Sequence, residues 1–428
     1  MLDYIKNISS YKKLLFKEIL IQVLEKGLRI VIGLIVINKM AVYLGPNLFG
    51  VYNYVESFYL IVFGLSVFGL DITLTKLLAR KKNISSIIGN GIFVMLFFAL
   101  AFIIISFLAI HFFLNDDKYF LLLIVSLILL FNPIYVFEYY FISKNQIRIS
   151  SYLKIISYII KSALILYAVY FELSLIYFVL IIAFEVFLYS LLIIIYFTFY
   201  PVKINFNIDK KLINEVVSSS SFIFLYSAGT IIYNRIDIIM IERFLSNSDL
   251  GYYSASFKLI SFFYFIPSIL SQTFFPKIVE LANLNLNNSG SLSLMYKLNV
   301  FSAIMIFFTM IVFGDYIIFY LFGEDFSKSI DILYILSFNI VLISMGGIYS
   351  KVLYSNNLEK RLFVKIIFGL IINILLNIVL IKSYGIYGAA MSTAIALFFV
   401  EIIYDFFDKK LVKHHVFKLK SILLFFKK

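Results

Sequence analysis

Apolar runs of about 20 residues, each long enough to cross a hydrocarbon core as a helix, recur from one end of the chain to the other. Charged and turn-forming residues gather in the short gaps between them. The pattern predicts spans over 18–43, 48–72, 84–113, 119–142, 152–171 and 174–199. A second set falls over 216–241, 251–275, 298–322, 330–353, 362–382 and 385–407. The alternating strands of a membrane barrel are absent. The expected fold is an all-α polytopic membrane protein with twelve transmembrane helices in two groups of six. The divisions are a segment 1–17, bundles 18–199 and 216–407, a linker 200–215 and a basic tail 408–428.

The first span is not uniformly apolar. Glu18, Gln22, Glu25, Lys26, Arg29 and Gly33 recur at gaps of one to four residues and gather on one helical face. A charged side chain near the middle of a span costs about 2.5–3.5 kcal/mol on insertion scales, so this face meets other helices or a watery cavity. Glu25 and Arg29 are spaced to pair, acid first, which leaves Lys26 as the extra cation. The other cations within spans are Lys161, Arg235 and Lys258; the acids are Glu56, Asp71, Glu138, Glu185, Asp237, Glu401 and Asp405. Lys161 and Glu185 lie mid-helix in neighbouring spans and are expected to neutralise each other. Ser227, Thr230, Asn234 and Asp237 are expected on one face of the seventh span, beside Arg235. Basic groups at two heights suit an anion, and guanidinium suits phosphate oxygens.

Composition narrows the class. The chain has 428 residues, is 62% hydrophobic and has a mean hydropathy of +1.00, which no soluble domain of this length shows. There is no Cys, which excludes disulfides, and no Trp, so 32 Tyr supply the interfacial belt. A formal charge of +13 would suggest nucleic acid on a soluble chain. Here 27 of the 37 Lys and Arg, Lys154, Lys365 and Lys418 among them, fall in the termini and one set of alternate loops, against five on the other side. That bias puts both termini in the cytoplasm and calls for no nucleic acid. The first helix reads as uncleaved. The tail, mixing Lys with Leu, Val and Phe, is expected to lie on the inner membrane face.

Tyr43–Tyr52 can be laid over Phe244–Tyr253, each a short outer loop between the first two spans of its half and each ending in Gly-x-Tyr. Such repeats are common in transporters. Pro133, Pro267 and Pro276 are expected to bend spans, and Asn373 and Asn377 to hydrogen-bond neighbouring helices. No phosphate-binding loop and no HExxH occurs, and His111, His414 and His415 are too scattered for a metal site. No cofactor or metal is expected, and the driving force is a gradient or a partner.

Several segments together resemble the polysaccharide biosynthesis family of oligosaccharide-lipid flippases. They are Glu25-Lys26-Gly27-Leu28-Arg29, Tyr43–Gly50, Phe68-Gly69-Leu70-Asp71, Leu78-Ala79-Arg80, Arg235-Ile236-Asp237, Gly251-Tyr252-Tyr253-Ser254-Ala255, Phe275-Pro276 and Tyr384–Ala390. The resemblance implies the multidrug/oligosaccharidyl-lipid/polysaccharide exporter superfamily, two six-helix bundles around a central cavity. It implies as cargo an undecaprenyl-pyrophosphate-linked glycan of the O-antigen or capsule type, crossing the bacterial cytoplasmic membrane. H+ or Na+ are the coupling ions it suggests, and polysaccharide polymerase and chain-length proteins the partners. Substrate binding is expected from Lys26, Arg29, Lys161, Arg235 and Lys258, and coupling from Glu25, Asp71, Glu185 and Asp237. A multidrug exporter of the same fold and a membrane polymerase are the alternatives. The first favours acids in its cavity; the second carries a large outer loop, and none is predicted.

Overall fold

The computed structural model describes residues 2–80, 83–113, 118–284 and 290–423, with side chains from 24 onward apart from 113 and 423. Lys81 and Lys82 lie outside the described residues, as do the side chains of Glu18 and Gln22. The described residues form helices joined by short turns and one longer non-helical stretch over 201–209, in two compact units. The N-terminal unit comprises Met1–Tyr43 and Val55–Ile231, and the C-terminal unit Leu44–Tyr54 and Ile232–Lys428.

The first unit is built from most of α1 (Leu2–Val67), then α2 (Leu70–Arg80), α3 (Ile84–Phe113), α4 (Tyr119–Leu127), α5 (Tyr135–Ser143), α6 (Ile147–Tyr170), α7 (Leu175–Thr198) and α8 (Lys210–Tyr233). The second contains α9 (Ile236–Phe244), α10 (Asn247–Phe263), α11 (Phe265–Asn283), α12 (Gly290–Phe322), α13 (Ser329–Ser355), α14 (Glu359–Phe398) and α15 (Lys409–Leu423). Among the described residues ten helical segments are long and apolar enough to cross a membrane. Left-handed φ at Gly45 and Gly385 breaks two of them, which yields the twelve crossings the hydropathy predicts.

Several spans are interrupted where the apolar pattern runs on. The helix expected over 48–72 stops at Val67; Phe68 and Gly69 take φ of 52° and 68°, and α2 restarts at Leu70. Gly69 is required twice over, because a Cβ there would also lie 2.9 Å from Ile223 and Phe224. The span expected over 216–241 breaks between Tyr233 and Ile236. Asn234 is consequently exposed while Asp237 is buried, so the polar face proposed for Ser227, Thr230, Asn234 and Asp237 does not form. Pro267 ends α10 at Phe263, four residues earlier, where its ring excludes the carbonyl. Pro133 sits in a 3₁₀ stretch, Ile128–Ile134, whereas Pro276 lies inside α11.

The repeat is a packing contact as well as a likeness. A Cβ on Gly50 would lie 2.0 Å from the Asn247 carbonyl oxygen, and one on Gly251 would lie 1.9 Å from that of Pro46. Laid over each other, Pro46 matches Asn247 and Gly50 matches Gly251. The two turns therefore clasp reciprocally, each glycine admitting the other's backbone, as small residues do between membrane helices.

The tail packs on protein along one face. Helix α15 is amphipathic, but its inward face is Leu411, His415, Lys418 and Ile422, all buried against the C-terminal unit. Lys418 donates to the Glu401 carbonyl at 2.6 Å and lies 3.4 Å from the Glu401 carboxylate. His415 Nδ1 is 3.0 Å from Asp405, and its Nε2 is 3.0 Å from the Ile402 carbonyl oxygen. Lys365, assigned to a loop by its charge, is instead buried 3.0 Å from Asp405. Burial, reinforced by the nearby Lys365, pushes the Lys418 ammonium down to about 8 against the pull of Glu401 and Asp405. The π turn Phe399–Ile403 and the 3₁₀ turn Tyr404–Phe407 carry both carboxylates. The helix is docked on the C-terminal unit by buried charge, Lys418 and His415, together with Leu411 and Ile422.

Gly50→Ala and Gly251→Ala should each lower Tm by several degrees, from about 1–3 kcal/mol of overpacking. Gly27→Ala, with nothing within 4 Å of its Cβ, should not. Thermal challenge followed by size-exclusion chromatography measures all three.

Candidate functional site

Of the residues singled out from the sequence, Glu25, Lys26, Arg29, Asp71, Lys161 and Glu185 belong to the N-terminal unit. Arg235, Asp237 and Lys258 belong to the C-terminal unit. Each group meets a different environment.

In the N-terminal unit Arg29 and Lys161 are both neutralised. Arg29 pairs with Glu25 at 3.1 Å, donates to the Lys154 carbonyl at 3.1 Å and stacks 4.9 Å from the Tyr158 ring centre. Lys161 pairs with Glu185 at 2.7 Å and lies 5.9 Å from that same ring. Lys154 pairs in turn with Glu138, whose other oxygen accepts from Tyr189 at 2.6 Å. The arrangement follows from α6, where Lys154, Tyr158 and Lys161 fall at i, i+4 and i+7 on one face. That spacing was visible in the sequence, but Lys154 reads there as a loop cation because it lies near a helix start. Lys26, by contrast, is exposed.

Beside this network lies a cavity of about 700 Å³, lined among others by Asp71, Thr75, Lys76, Tyr139, Lys154 and Ser227. Its volume lies within the range of small-molecule sites, about 300–1,000 Å³. The left-handed pair Phe68–Gly69 sets Asp71 into it. Phe68 is held between Phe98 and Phe224, with ring centres 3.9 and 4.3 Å away, and Asp71 follows in the first turn of α2. A helix N-terminus favours a carboxylate there. Asp71 has no ion-pair partner among the described residues, in contrast to Glu25, Glu138 and Glu185.

Asp237, in the C-terminal unit, is a second carboxylate with no ion-pair partner among the described residues. It is buried and takes hydrogen bonds from Asn377 at 2.6 Å, Tyr253 at 2.9 Å and the Thr393 hydroxyl. Asn377 also donates to Asn373 at 3.2 Å, and Asn373 to Thr393 at 3.3 Å. The Asn377 carbonyl oxygen is buried without a hydrogen bond. No Lys or Arg pairs with Asp237 among the described residues. Arg235 precedes α9 and lies 5.5 Å from the Phe257 ring, and Lys258 lies 5.1 and 5.6 Å from those of Tyr52 and Phe49. Asn373 and Asn377 do bond across helices as expected, but onto a carboxylate. Among the described residues no group of three or more His, Asp or Glu could hold a metal ion. The oxygens around Asp237, from a carboxylate, amides and hydroxyls, are instead of the kind that holds a proton or a hard monovalent cation.

The architecture is that of a multi-pass helical membrane protein. It matches a solved lipid II flippase, MurJ, in an inward closed conformation, with a TM-score of 0.74 over 95% of this chain and 92% of that one at 17% identity. It also matches an inward-facing multidrug resistance MATE family transporter of the MOP superfamily, with a TM-score of 0.66 over 92% and 95% at 11% identity. At such identities the likeness is one of fold. Residues 15–282 match the family described as polysaccharide biosynthesis protein, and the chain belongs to that family. A probable low-salt glycan biosynthesis flippase of Haloferax volcanii is 26% identical over 185 residues, 41% of this chain and 38% of that protein. An uncharacterized membrane protein of Methanocaldococcus jannaschii is 27% identical over 49% of this chain and 48% of its own length. The matches thus span less than half of these relatives.

Lys161→Met should lower stability by about 3–5 kcal/mol, because it strands Glu185 in the interior, whereas Lys161→Met with Glu185→Met should restore most of it. Tm of the purified variants reads the difference.

Proposed function

We propose that this protein is a carrier that moves an oligosaccharide on a polyprenyl diphosphate, undecaprenyl in a bacterial membrane, from the inner to the outer leaflet. The observation that carries the reading is the cavity of the N-terminal unit, in a chain of the polysaccharide biosynthesis protein family. An unpaired carboxylate, a Tyr face, and Thr and Ser hydroxyls suit the hydroxyls of a sugar. Lys76, exposed at the cavity, and Lys26 are the groups proposed to meet the diphosphate. Arg235 and Lys258 are proposed as anion-binding groups of the C-terminal unit. Arg29 and Lys161, already paired with acids, are assigned to holding the helices.

Exit of about two negative charges is favoured by roughly 4.6 kcal/mol per 100 mV of membrane potential. Asp237 is proposed to supply the return coupling by taking up Na+ or H+. A buried carboxylate without a cation is costly unless its hydrogen bonds or a bound ion compensate it. The basic loops orient both termini to the cytoplasm in this reading. One observation favours a second reading: Asp71 would equally attract a cationic drug, as in a multidrug exporter.

Proteoliposomes carrying a fluorescent lipid-linked oligosaccharide test the proposal. Asp71→Asn should slow flipping about tenfold or more with Tm unchanged, because it breaks no ion pair. Asp237→Asn should abolish the dependence of rate on an imposed Na+ or pH gradient. Wild-type protein that fails to move the glycan but exports cationic dyes would favour the second reading.

A further inference from the structure

The C-terminal unit holds a second cavity, of about 420 Å³, where the last crossing ends. It is lined by Arg361, Tyr404, Phe407, Asp408, Lys409 and Lys410. The proposed transport does not use it. Three cations face one carboxylate there. Arg361 pairs with Asp408, whose other oxygen accepts from the Lys410 backbone N–H at 3.0 Å, so the floor is fixed. Lys409 and Lys410 are exposed. The lining also has an aromatic part: Phe407, the last residue of the membrane segment, is 78% exposed.

We propose that this cavity binds the phosphate of an anionic phospholipid of the surrounding leaflet, with the acyl chains running past Phe407. An uncovered Phe at the foot of a span faces lipid tails, and the cations beside it lie at headgroup depth. A soluble anion would use the cations but not the aromatic wall; an amphiphile uses both. The docked tail supplies the rigidity. Lys418 and His415 are buried against Glu401, Ile402 and Asp405, so the start of α15 holds Lys409 and Lys410 at a fixed place. Lys413 and Lys420, exposed on the same helix, lie outside the cavity and form an internal control.

The test is native mass spectrometry of the full-length protein equilibrated with equal amounts of phosphatidylglycerol and phosphatidylcholine. The wild type should retain phosphatidylglycerol preferentially, and excess inorganic phosphate should not displace it. Lys409→Gln with Lys410→Gln should weaken that retention roughly tenfold or more, whereas Lys413→Gln with Lys420→Gln should change it little. Phe407→Ser, which leaves every charge in place, should lower retention of both lipids and keeps the test open if the lysine variant is unstable. Equal retention by wild type and Lys409/Lys410 variant would overturn the site. So would equal losses in the two lysine pairs, which means diffuse attraction, or displacement by phosphate, which means a soluble-anion site.

Discussion

A charge taken out of water in the membrane interior must find a partner nearby, and that requirement organises this protein more than any apolar contact does. Desolvation costs several kcal/mol per ion, and a close counter-charge with its hydrogen bonds offsets most of it. Lys161 with Glu185 and Lys154 with Glu138 tie α5, α6 and α7 together in the N-terminal unit, and Arg29, paired with Glu25 inside α1, joins α1 to α6 through the Lys154 carbonyl. In the C-terminal unit Lys365, Glu401, Asp405, His415 and Lys418 fasten the last helix to the bundle. Against this background the carboxylates without a cation, Asp71 and Asp237, stand out. Asp237 is held by the neutral donors Asn377, Tyr253 and Thr393, whereas Asp71 lines the cavity of the N-terminal unit.

The backbone breaks put those acids where they are. Asp71 follows a left-handed pair and Asp237 follows the interruption at Asn234–Arg235, so each lies in the first turn of a short helix. Discontinuous helices are a common way to bring side chains and free backbone groups to membrane depth.

Hydropathy made the crossings legible, because the bilayer imposes one length on every span. The pairs Glu25–Arg29 and Lys161–Glu185 were also legible, the first from local spacing and the second from depth in adjacent spans. Three kinds of feature were not. Breaks such as Phe68–Gly69 leave the apolar run intact, so no period marks them. Long-range partners such as Asp237 with Asn377 and Thr393 depend on how distant helices pack. Lys365 and Lys418 carry the charge of loop residues and only tertiary burial reveals them as interior. The anion-binding set inferred from charge is divided: Arg29 and Lys161 are paired with acids, whereas Lys26 is exposed.

The account distinguishes charges that hold the fold from charges that work. The most direct test is the flipping rate, per folded molecule, of the doubly neutral Lys161→Met, Glu185→Met protein in proteoliposomes. The account predicts a rate within about twofold of wild type, since the pair is removed as a unit and no ligand contact goes with it. A loss of transport in well-folded protein would contradict it and return Lys161 to the substrate path.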